Sequence, residues 1–263
     1  MNQGDSAKSS LSRQIELGNS EAAKSLARTI SADEVGAVLQ QHEGSKRASV
    51  RILVLELAAE IPSEKGSRII LGHLQDGNLT VRSIANSLVG VIAQKSLIPE
   101  LFKSMEASDD FVMKGALARQ IGRIGDASNL PPLREYYRTV QHPGLHHDLE
   151  VAMVRLGDEP LTLQLIQRLV SLDLSARMIA IDDVLYVGDL RFARYFPSLV
   201  QDRRDAVVIS LPHDPVVAAR ICDLAIQALV ALGVKVSYPT RPSRRFSERE
   251  IEEMRRILDA MQH

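Results

Sequence analysis

An internal repeat of 31 or 32 residues constrains the fold of this chain more than any other feature of its sequence. Each copy opens with an apolar residue, and the residues four, eight and eleven positions later are again apolar. This spacing places them on one face of an α-helix with a wide buried stripe. Periods of about 20 to 50 residues are typical of solenoids and related repeat architectures. The five copies begin at Val50, Val81, Met113, Leu145 and Ala176.

The segments between these helices predict a second helix in every repeat. Three copies end in a Gly-Asp pair, at Gly125, Gly157 and Gly188, and glycine tolerates the left-handed conformation that ends many helices. Prolines follow at positions suited to the first turn of the next helix. Because each helix pair buries only one face, neighbouring pairs must stack to close the core. The sequence therefore predicts an all-α fold, a right-handed α–α superhelix (an α-solenoid), with first helices over residues 64–74, 98–105, 130–137, 161–172 and 191–200.

The composition agrees with this fold and excludes several classes of protein. Aromatic residues make up 4% of the chain and tryptophan is absent, whereas β-sandwiches and barrels favour aromatic and β-branched residues. The 32 lysines and arginines balance 33 aspartates and glutamates, so no overall field attracts nucleic acid or anionic lipid. The N-terminal segment lacks the apolar core of a signal peptide, and no stretch is apolar enough to span a bilayer. We therefore expect a cytoplasmic protein without membrane insertion.

The regular repeats, residues 45–189, are flanked by segments that depart from their frame. Residues 1–18 are polar and predict a frayed tail, and residues 19–44 predict capping helices that include a Ser31–Glu34 capping box. Residues 190–246 predict a diverged repeat and a linker, with an insertion at 201–215 that we expect to be irregular. Residues 247–263 predict a C-terminal capping helix. Its expected buried face consists of Ile251, Met254, Leu258 and Met261.

One repeat position carries a polar, mostly basic side chain in all five copies. We expect these side chains to form a structural ladder that stacks neighbouring repeats. Each would pair with acidic loop residues such as Asp76, Asp109 or Asp173 and with backbone carbonyls of adjacent repeats. The alternative is a stripe that binds a polyanion. The ladder comprises Arg51, Arg82, Lys114, His146 and Arg177.

No constellation in the sequence predicts catalysis, a cofactor or a metal. The motifs G-x-S-x-G and G-x-G-x-x-G and the P-loop are absent. The single cysteine, Cys222, lies in an apolar helical run that predicts a buried, inert thiol. His142, His146 and His147, together with Asp148, offer too few ligands for a metal centre.

The arginines of residues 241–246 form the one concentrated basic stretch, and an aromatic residue follows them. Basic groups beside aromatic rings can hold a single nucleic-acid strand. The next helix is rich in glutamate, however, and its charge neutralises that of the arginines. We therefore expect a solvated linker and no nucleic-acid partner.

The repeats resemble a known class. The series Asp76…Val81-Arg82…Ala85…Gly90, continued by Lys114…Gly122-Arg-Ile-Gly-Asp126…Leu-Pro-Pro-Leu133, is similar to the short bacterial HEAT repeats, including those of phycobilisome lyases. The resemblance covers residues 45–189. It implies an α-solenoid, and most proteins of this kind act as scaffolds for other proteins.

We accordingly expect a non-enzymatic scaffold that binds a protein partner, without a cofactor, a metal or a small-molecule substrate. The partner would contact polar residues of the second helices, which line the concave side of such stacks. The alternative rests on the resemblance alone and is a chromophore-lyase-like or chaperone-like subunit of a larger enzyme complex. The residues expected to contact the partner are Glu56, Asn86, Arg119, Glu150 and Asp182.

Overall fold

The computed structural model describes residues 3–209, 217–241 and 244–261. The fold is all-α, with 75% of the chain in helices that pack as repeated pairs, which confirms the predicted solenoid class. The helices are α1 (Gln3–Leu17), α2 (Ser20–Ala27), α3 (Ala32–His42), α4 (Ala48–Glu60), α5 (Glu64–Gly72), α6 (Leu79–Ser87), α7 (Ile98–Ala107), α8 (Phe111–Ile124), α9 (Leu130–Thr139), α10 (Pro143–Arg155), α11 (Glu159–Val170), α12 (Leu174–Val187), α13 (Pro197–Val200), α14 (Ile221–Ala231) and α15 (Glu248–Met261). Two short strands, β1 (Asp205–Ile209) and β2 (Val217–Arg220), lie between α13 and α14.

The chain divides into two compact units, Met1–Ala152 and Met153–His263. In the first unit the second helices of the repeats are α4, α6, α8 and α10, and each begins two residues before its predicted frame start. The first helices α5, α7 and α9 begin at the expected residues 64, 98 and 130. In the second unit, α11 and α12 form the next pair, and α12 again begins two residues before its frame start.

Side-chain caps define where the second helices α6 and α8 begin. The Oδ1 atom of Asn78 accepts hydrogen bonds from the backbone N–H groups of Thr80 at 3.0 Å and Val81 at 3.2 Å. Asp110 caps α8 in the same way. Such caps satisfy N–H groups that the first turn of a helix leaves unpaired. The starts of α6 and α8 are therefore fixed by the residue just before each helix as well as by the apolar frame, whereas Arg47 before α4 makes no such bond.

Burial follows the repeat frame closely. The residue four positions after each frame start is exposed by 0% in all five copies, and the residue eight positions after it is exposed by no more than 1%. These positions carry the contacts that close the core between helix pairs. The five residues at the first of these positions are Val54, Ala85, Leu117, Leu149 and Ala180.

Two of the three Gly-Asp pairs adopt the expected left-handed backbone. Gly157 has φ of +97° and Gly188 has φ of +70°, a region that residues with a Cβ atom rarely adopt. Gly125 departs from the expectation, because its φ is −78° and its backbone is extended. Its N–H still closes the helix end by donating to the carbonyl of Ile121 at 2.8 Å.

The N-terminal segment is a helix, and the expectation of a polar tail over residues 1–18 is wrong for the part that the structure describes. Helix α1 buries Leu11 and Ile15 completely. Residues four positions apart lie on the same face of a helix, so two apolar side chains suffice to anchor this otherwise polar segment. The capping box at Ser31 is present, with reciprocal hydrogen bonds to Glu34. Residues 1–2 lie outside the described residues.

In the second unit, the insertion expected to be irregular contains strand β1, which forms an antiparallel pair with β2 just after the insertion. Strand β1 pairs with β2 in a register that runs from Asp205 opposite Arg220 to Ile209 opposite Val217. The sequence of β1, DAVVI, is rich in β-branched residues that favour a strand. Residues 210–216, of which 210–215 belong to the insertion, lie outside the described residues.

The C-terminal helix α15 packs within the second unit through three of the four residues expected on its buried face. Ile251, Met254 and Leu258 are 3%, 0% and 1% exposed. Met261 was expected to be buried with them but is 47% exposed, because it is the last residue of the helix. None of the helices in the described ranges is both long and apolar enough to cross a membrane.

Candidate functional site

Four of the five ladder side chains share one contact. Each donates a hydrogen bond to the backbone carbonyl of the residue six positions earlier, in the loop that precedes its own helix. The side chain thereby ties this loop to the start of its own second helix, whereas the sequence had predicted carbonyls of adjacent repeats. These pairs are Arg51 with Ser45 at 2.5 Å, Arg82 with Asp76 at 2.5 Å, His146 with Val140 at 2.6 Å, and Arg177 with Ser171.

Arg51 also forms a buried ion pair with Asp76 of the next repeat. Its Nε and Nη2 atoms donate to the two carboxylate oxygens of Asp76 at 2.8 and 2.9 Å. Burial alone would raise the pKa of Asp76, but hydrogen bonds from Arg51, from the N–H of Asn78 and from His73 outweigh it and lower the pKa to about 2. The carboxylate is therefore ionised throughout the neutral range and joins two repeats.

The last ladder residue makes an equivalent pair in the second unit. Arg177 Nη1 donates to Asp202 at 2.6 Å. A hydrogen bond from Arg204 has the largest effect on Asp202, and together with those from the Arg204 N–H and from Arg177 it outweighs burial and lowers the pKa of Asp202 to about 2. Asp173, expected as a ladder partner, instead accepts from the N–H of Ala176 at 2.6 Å.

Lys114 departs from this ladder geometry. Its ammonium lies 5.9 Å from the ring centroid of Phe111 and 5.8 Å from that of Tyr136, within the range of a cation–π contact. Phe111 in turn stacks on His142, with ring centroids 4.3 Å apart and an interplanar angle of 13°. The third and fourth copies of the repeat therefore carry an aromatic and cationic cluster at the starts of α8 and α10.

The five residues expected to contact a partner are dispersed, and three of them already bind other side chains of this chain. Arg119 Nε donates to Asp148 at 2.5 Å, and the Tyr137 hydroxyl donates to Glu150 at 2.9 Å. Glu56 lies 3.6 Å from the ammonium of Lys24. Asp182 is exposed on α12 of the second unit, and the amide oxygen Oδ1 of Asn86 is buried without a hydrogen-bond partner in the described part of the chain.

The contact between α8 and α10 depends on a glycine. A Cβ atom at Gly115 would overlap the carboxylate of Asp148, so only glycine lets this carboxylate approach α8 and reach Arg119. The pair is half-buried, with side-chain exposures of 26% and 25%. Arg119 is thus positioned on the second-helix surface by its neighbour.

The sequence reasoning missed a row of exposed apolar side chains at the starts of the second helices. Leu79 is 71% exposed, Phe111 46% and Val112 74%. We call these three residues the helix-start row. They precede the apolar frame by one or two positions and follow a capping residue. An apolar residue at such a position lies outside the buried stripe of its helix. Apolar residues outside the stripe are the sequence signal that could have identified the helix-start row.

Two clefts of the first unit open beside the helix-start row. The first, of about 330 Å³, is lined by Leu79, Asn86, Asp109 and Met113 among others. The second, of about 570 Å³, is lined by Phe111, Lys114, Tyr136 and Leu145 among others. Apolar, charged and hydrogen-bonding groups thus lie together on one edge of this unit.

A separate cleft of about 410 Å³ lies in the second unit. Its lining includes Arg155, Arg191, Arg194 and Tyr195. The Arg155 guanidinium donates to the carbonyls at the end of α12, and that of Arg191 pairs with Asp189 at 2.7 Å. Arginine side chains suit carboxylate and phosphate groups. The lining also carries Glu159 and Asp189 against its three arginines, so its formal charge is 3 − 2 = +1.

The remaining candidate groups of the sequence are Cys222, the arginines of residues 241–246 and the region from His142 to Asp148. Burial is the largest influence on the Cys222 thiol and raises its pKa, as does the neighbouring Asp223. In the 241–246 segment, Arg244 pairs with Glu250 at 2.6 Å and Arg245 with Asp205 at 2.7 Å. Within the described ranges, no three histidine, cysteine, aspartate or glutamate side chains lie close enough together to hold a metal ion. This applies also to the region from His142 to Asp148.

Comparison with known proteins bears on the fold alone. No protein-family profile matches the chain, and no curated protein matches it. Among solved structures, the complex of CpcE and CpcF of phycocyanin lyase from Nostoc sp. PCC7120 is similar over 92% of this chain and 89% of that chain, with 14% sequence identity and a TM-score of 0.48. The similar structure is a lyase complex, so the expectation that this chain is not an enzyme is withdrawn, and the similarity itself assigns no activity to this chain.

Proposed function

We propose that this chain binds a protein partner through the helix-start row and the second-helix surface of its first unit. The observation that carries the proposal is the helix-start row itself, which lies between two clefts. Exposed apolar side chains that cluster beside polar clefts are typical of interaction surfaces, whereas single exposed apolar residues are common on any protein. Asn86 and Arg119 lie on the same second helices and are the two expected contact residues that we retain in this surface.

The contribution of the helix-start row to binding follows from the apolar side chains that a partner would cover. Complete burial of a valine or leucine side chain contributes about 1.5–3 kcal/mol. Replacing both Leu79 and Val112 by serine should therefore weaken binding by at least about 2 kcal/mol, or roughly thirtyfold in Kd. Both residues occupy the first turn of a helix and are more than two-thirds exposed, so the fold should tolerate the change.

The test is quantitative affinity purification with the wild-type chain and the Leu79→Ser/Val112→Ser variant. A matched control is Leu172→Ser, because Leu172 is 82% exposed and lies outside the helix-start row. We expect the double variant to lose a specific set of proteins that the control retains. Charge reversal of Glu56, Arg119 and Glu150 tests the wider second-helix surface in the same assay. Identical profiles for the double variant and the wild type would refute the docking surface.

A second candidate function is a lyase-like subunit of an enzyme complex that binds a bilin. The arginine-lined cleft of the second unit favours it, because its volume of about 410 Å³ lies within the range of about 300–1,000 Å³ usual for small-molecule sites. Bilins carry carboxylates, which arginine binds well. The sequence resemblance to short HEAT repeats of phycobilisome lyases points the same way.

Mixing the purified chain with a bilin and recording its visible absorbance tests this second candidate. We expect a saturable spectral shift that the Arg191→Gln variant weakens. Arg191 suits the test because its side chain is 84% exposed, so the substitution should leave the fold unchanged. If the spectrum of the bilin stays the same with and without the protein, this candidate function is wrong.

A further inference from the structure

We infer that the start of helix α10 is a pH-sensitive switch, which His142 caps while its imidazole is neutral and releases when the imidazole is protonated. The switch is a conformational device and does not depend on the proposed docking function. His142 stands just before Pro143, the first residue of α10, and its Nδ1 atom accepts a hydrogen bond from the backbone N–H of Leu145 at 3.3 Å. This is the usual contact between an N-cap side chain and the third residue of a helix.

The same position of the repeat holds a capping residue in three other copies. Asn78, Asp110 and Asp173 each accept from the N–H of the residue at the frame start, at 3.2, 3.2 and 2.6 Å. Their acceptors are amide or carboxylate oxygens, which do not titrate in the neutral range. In the fourth copy the acceptor is an imidazole nitrogen, and histidine changes its charge between about pH 5 and pH 8. Of these four caps, that of His142 is therefore the one that acid can remove in this range.

The hydrogen-bond partner fixes the protonation state that the cap requires. A backbone N–H can only donate, so Nδ1 of His142 must carry a lone pair, and the proton of the neutral ring lies on Nε2. Protonation of the ring places a second proton on Nδ1 and turns this acceptor into a donor that faces the Leu145 N–H. The capping bond is then lost. His142 is exposed, so protons reach the ring directly from solvent.

His146, in the first turns of the same helix, does not have this sensitivity. Its Nε2 atom lies 2.6 Å from the carbonyl oxygen of Val140. A carbonyl can only accept, so the Nε2–H group donates, and that group is present in the neutral and in the protonated ring. The two histidines therefore respond differently to acid, because His146 keeps its contact and His142 loses its cap.

The first turn of α10 depends strongly on this cap. Pro143 supplies no N–H group, and Gly144 is of the residue type with the lowest helix propensity after proline. Leu145 is only 1% exposed, so its released N–H would be a buried donor without an acceptor unless the turn opens. Protonation of His142 should therefore loosen the start of α10.

The titratable groups around His142 carry charges of both signs, and in the described part of the chain none of them forms an ion pair with its ring. The ring instead stacks on Phe111 of the helix-start row, with centroids 4.3 Å apart. Stacking is open to the neutral and to the protonated ring, so it does not replace the lost cap. The surrounding groups are Glu106 of α7, Asp109, Asp110 and Lys114 at the start of α8 and before it, Tyr136 and Tyr137 of α9, and His146, His147 and Asp148 of α10.

The test is amide hydrogen exchange, measured by NMR on the ¹⁵N-labelled chain at pH 8 and pH 5 and corrected for the intrinsic pH dependence of exchange. The Leu145 amide reports the His142 cap, and the Val81 amide, which Asn78 caps, is the internal control. An N-cap contributes about 1 kcal/mol, so the protection of Leu145 relative to Val81 should fall about fivefold at pH 5. The imidazole ¹⁵N shifts should show an unprotonated Nδ1 at pH 8. An unchanged protection ratio, or a proton on Nδ1 at pH 8, would overturn the inference.

Two variants separate the cap from the other effects of acid. His142→Asn supplies an amide cap like that of Asn78, so the protection of Leu145 should be the same at pH 8 and pH 5. His142→Phe keeps an aromatic ring against Phe111 but has no acceptor, so the protection should be low at both pH values. All other titratable groups remain in both variants. If the protection falls in His142→Asn as much as in the wild type, or if His142→Phe protects Leu145 as well as the wild type does at pH 8, the inference is wrong.

Discussion

Neutralising Asp76 should destabilise the chain by an amount that the geometry of its ion pair allows us to work out. The side chains of Arg51 and Asp76 are only 15% and 8% exposed, so solvent screens their interaction little. The pKa of Asp76 falls from 3.8 to about 2, and each pKa unit corresponds to about 1.4 kcal/mol. The ionised carboxylate therefore contributes about 2 kcal/mol to the free energy of unfolding at neutral pH.

The variant Asp76→Asn keeps the shape of the side chain and removes its charge. We expect its free energy of unfolding at pH 7, measured by urea denaturation and far-ultraviolet circular dichroism, to be lower by about 2 kcal/mol. Losing one partner of a fully buried pair costs about 3–5 kcal/mol, but asparagine can still accept the N–H of Asn78. The control Glu100→Gln breaks a pair with Arg68 whose side chains are 47% and 36% exposed and should cost less than about 1 kcal/mol.

The pH dependence of this stability difference provides an independent test. Because the folded pKa of Asp76 lies below its unfolded value of 3.8, its contribution is complete above pH 4 and is lost as the pH falls toward 2. The difference between wild type and Asp76→Asn should therefore shrink over that interval. Asp202 titrates in the same range in both proteins, so it cancels from the difference. A difference below about 0.5 kcal/mol at pH 7, or one that does not change between pH 4 and pH 2, would refute this reasoning.

Three further perturbations test the fold. Truncation after Arg245 removes α15 and the three side chains that it buries, so the melting temperature should fall and dye binding to exposed apolar surface should rise; an unchanged melting curve would show that α15 is dispensable. The substitution Gly115→Ala should displace Asp148 from Arg119. The overpacking costs about 1–3 kcal/mol and the higher helix propensity of alanine offsets about 1 kcal/mol of it, so the free energy of unfolding should fall by up to about 2 kcal/mol, and an increase would contradict the close approach. The thiol of Cys222 should react with a disulfide reagent only after unfolding, because it is buried and its pKa is raised; rapid labelling of the native protein would contradict this.

The helix starts were predictable because two independent signals agree on them. The apolar frame fixes which face of each second helix is buried, and a capping residue such as Asn78 or Asp110 fixes where the helix begins. Helix α1 lacked the first of these signals, since only Leu11 and Ile15 anchor it within a polar segment. The hairpin was missed for a different reason. Its β-branched residues were present in the sequence, but they fell within an insertion that the repeat frame could not describe.

The site was less predictable because its contacts join residues of different repeats. Arg119 meets Asp148 across two helices and 29 positions of sequence, and nothing in the sequence of either helix indicates that pair. The expected contact residues were chosen by their position in the repeat frame. The frame identifies one face of a helix, but it does not identify the side chains of the neighbouring helix that contact that face. Glu56 and Glu150 accordingly prove to have partners within the chain.

The ladder residue makes the same carbonyl contact in four copies of the repeat and a different contact in the third. In the first, second and fifth copies an arginine binds the carbonyl six residues earlier, which serves the fold. The fourth copy keeps that contact with His146, whereas the ammonium of Lys114 in the third copy lies within about 6 Å of two aromatic rings. That exception borders the helix-start row and its clefts. Departures from local rules concentrate at functional sites. Both the exposed apolar row and the ladder exception fall on this edge of the first unit, which is why we place the proposed docking surface there.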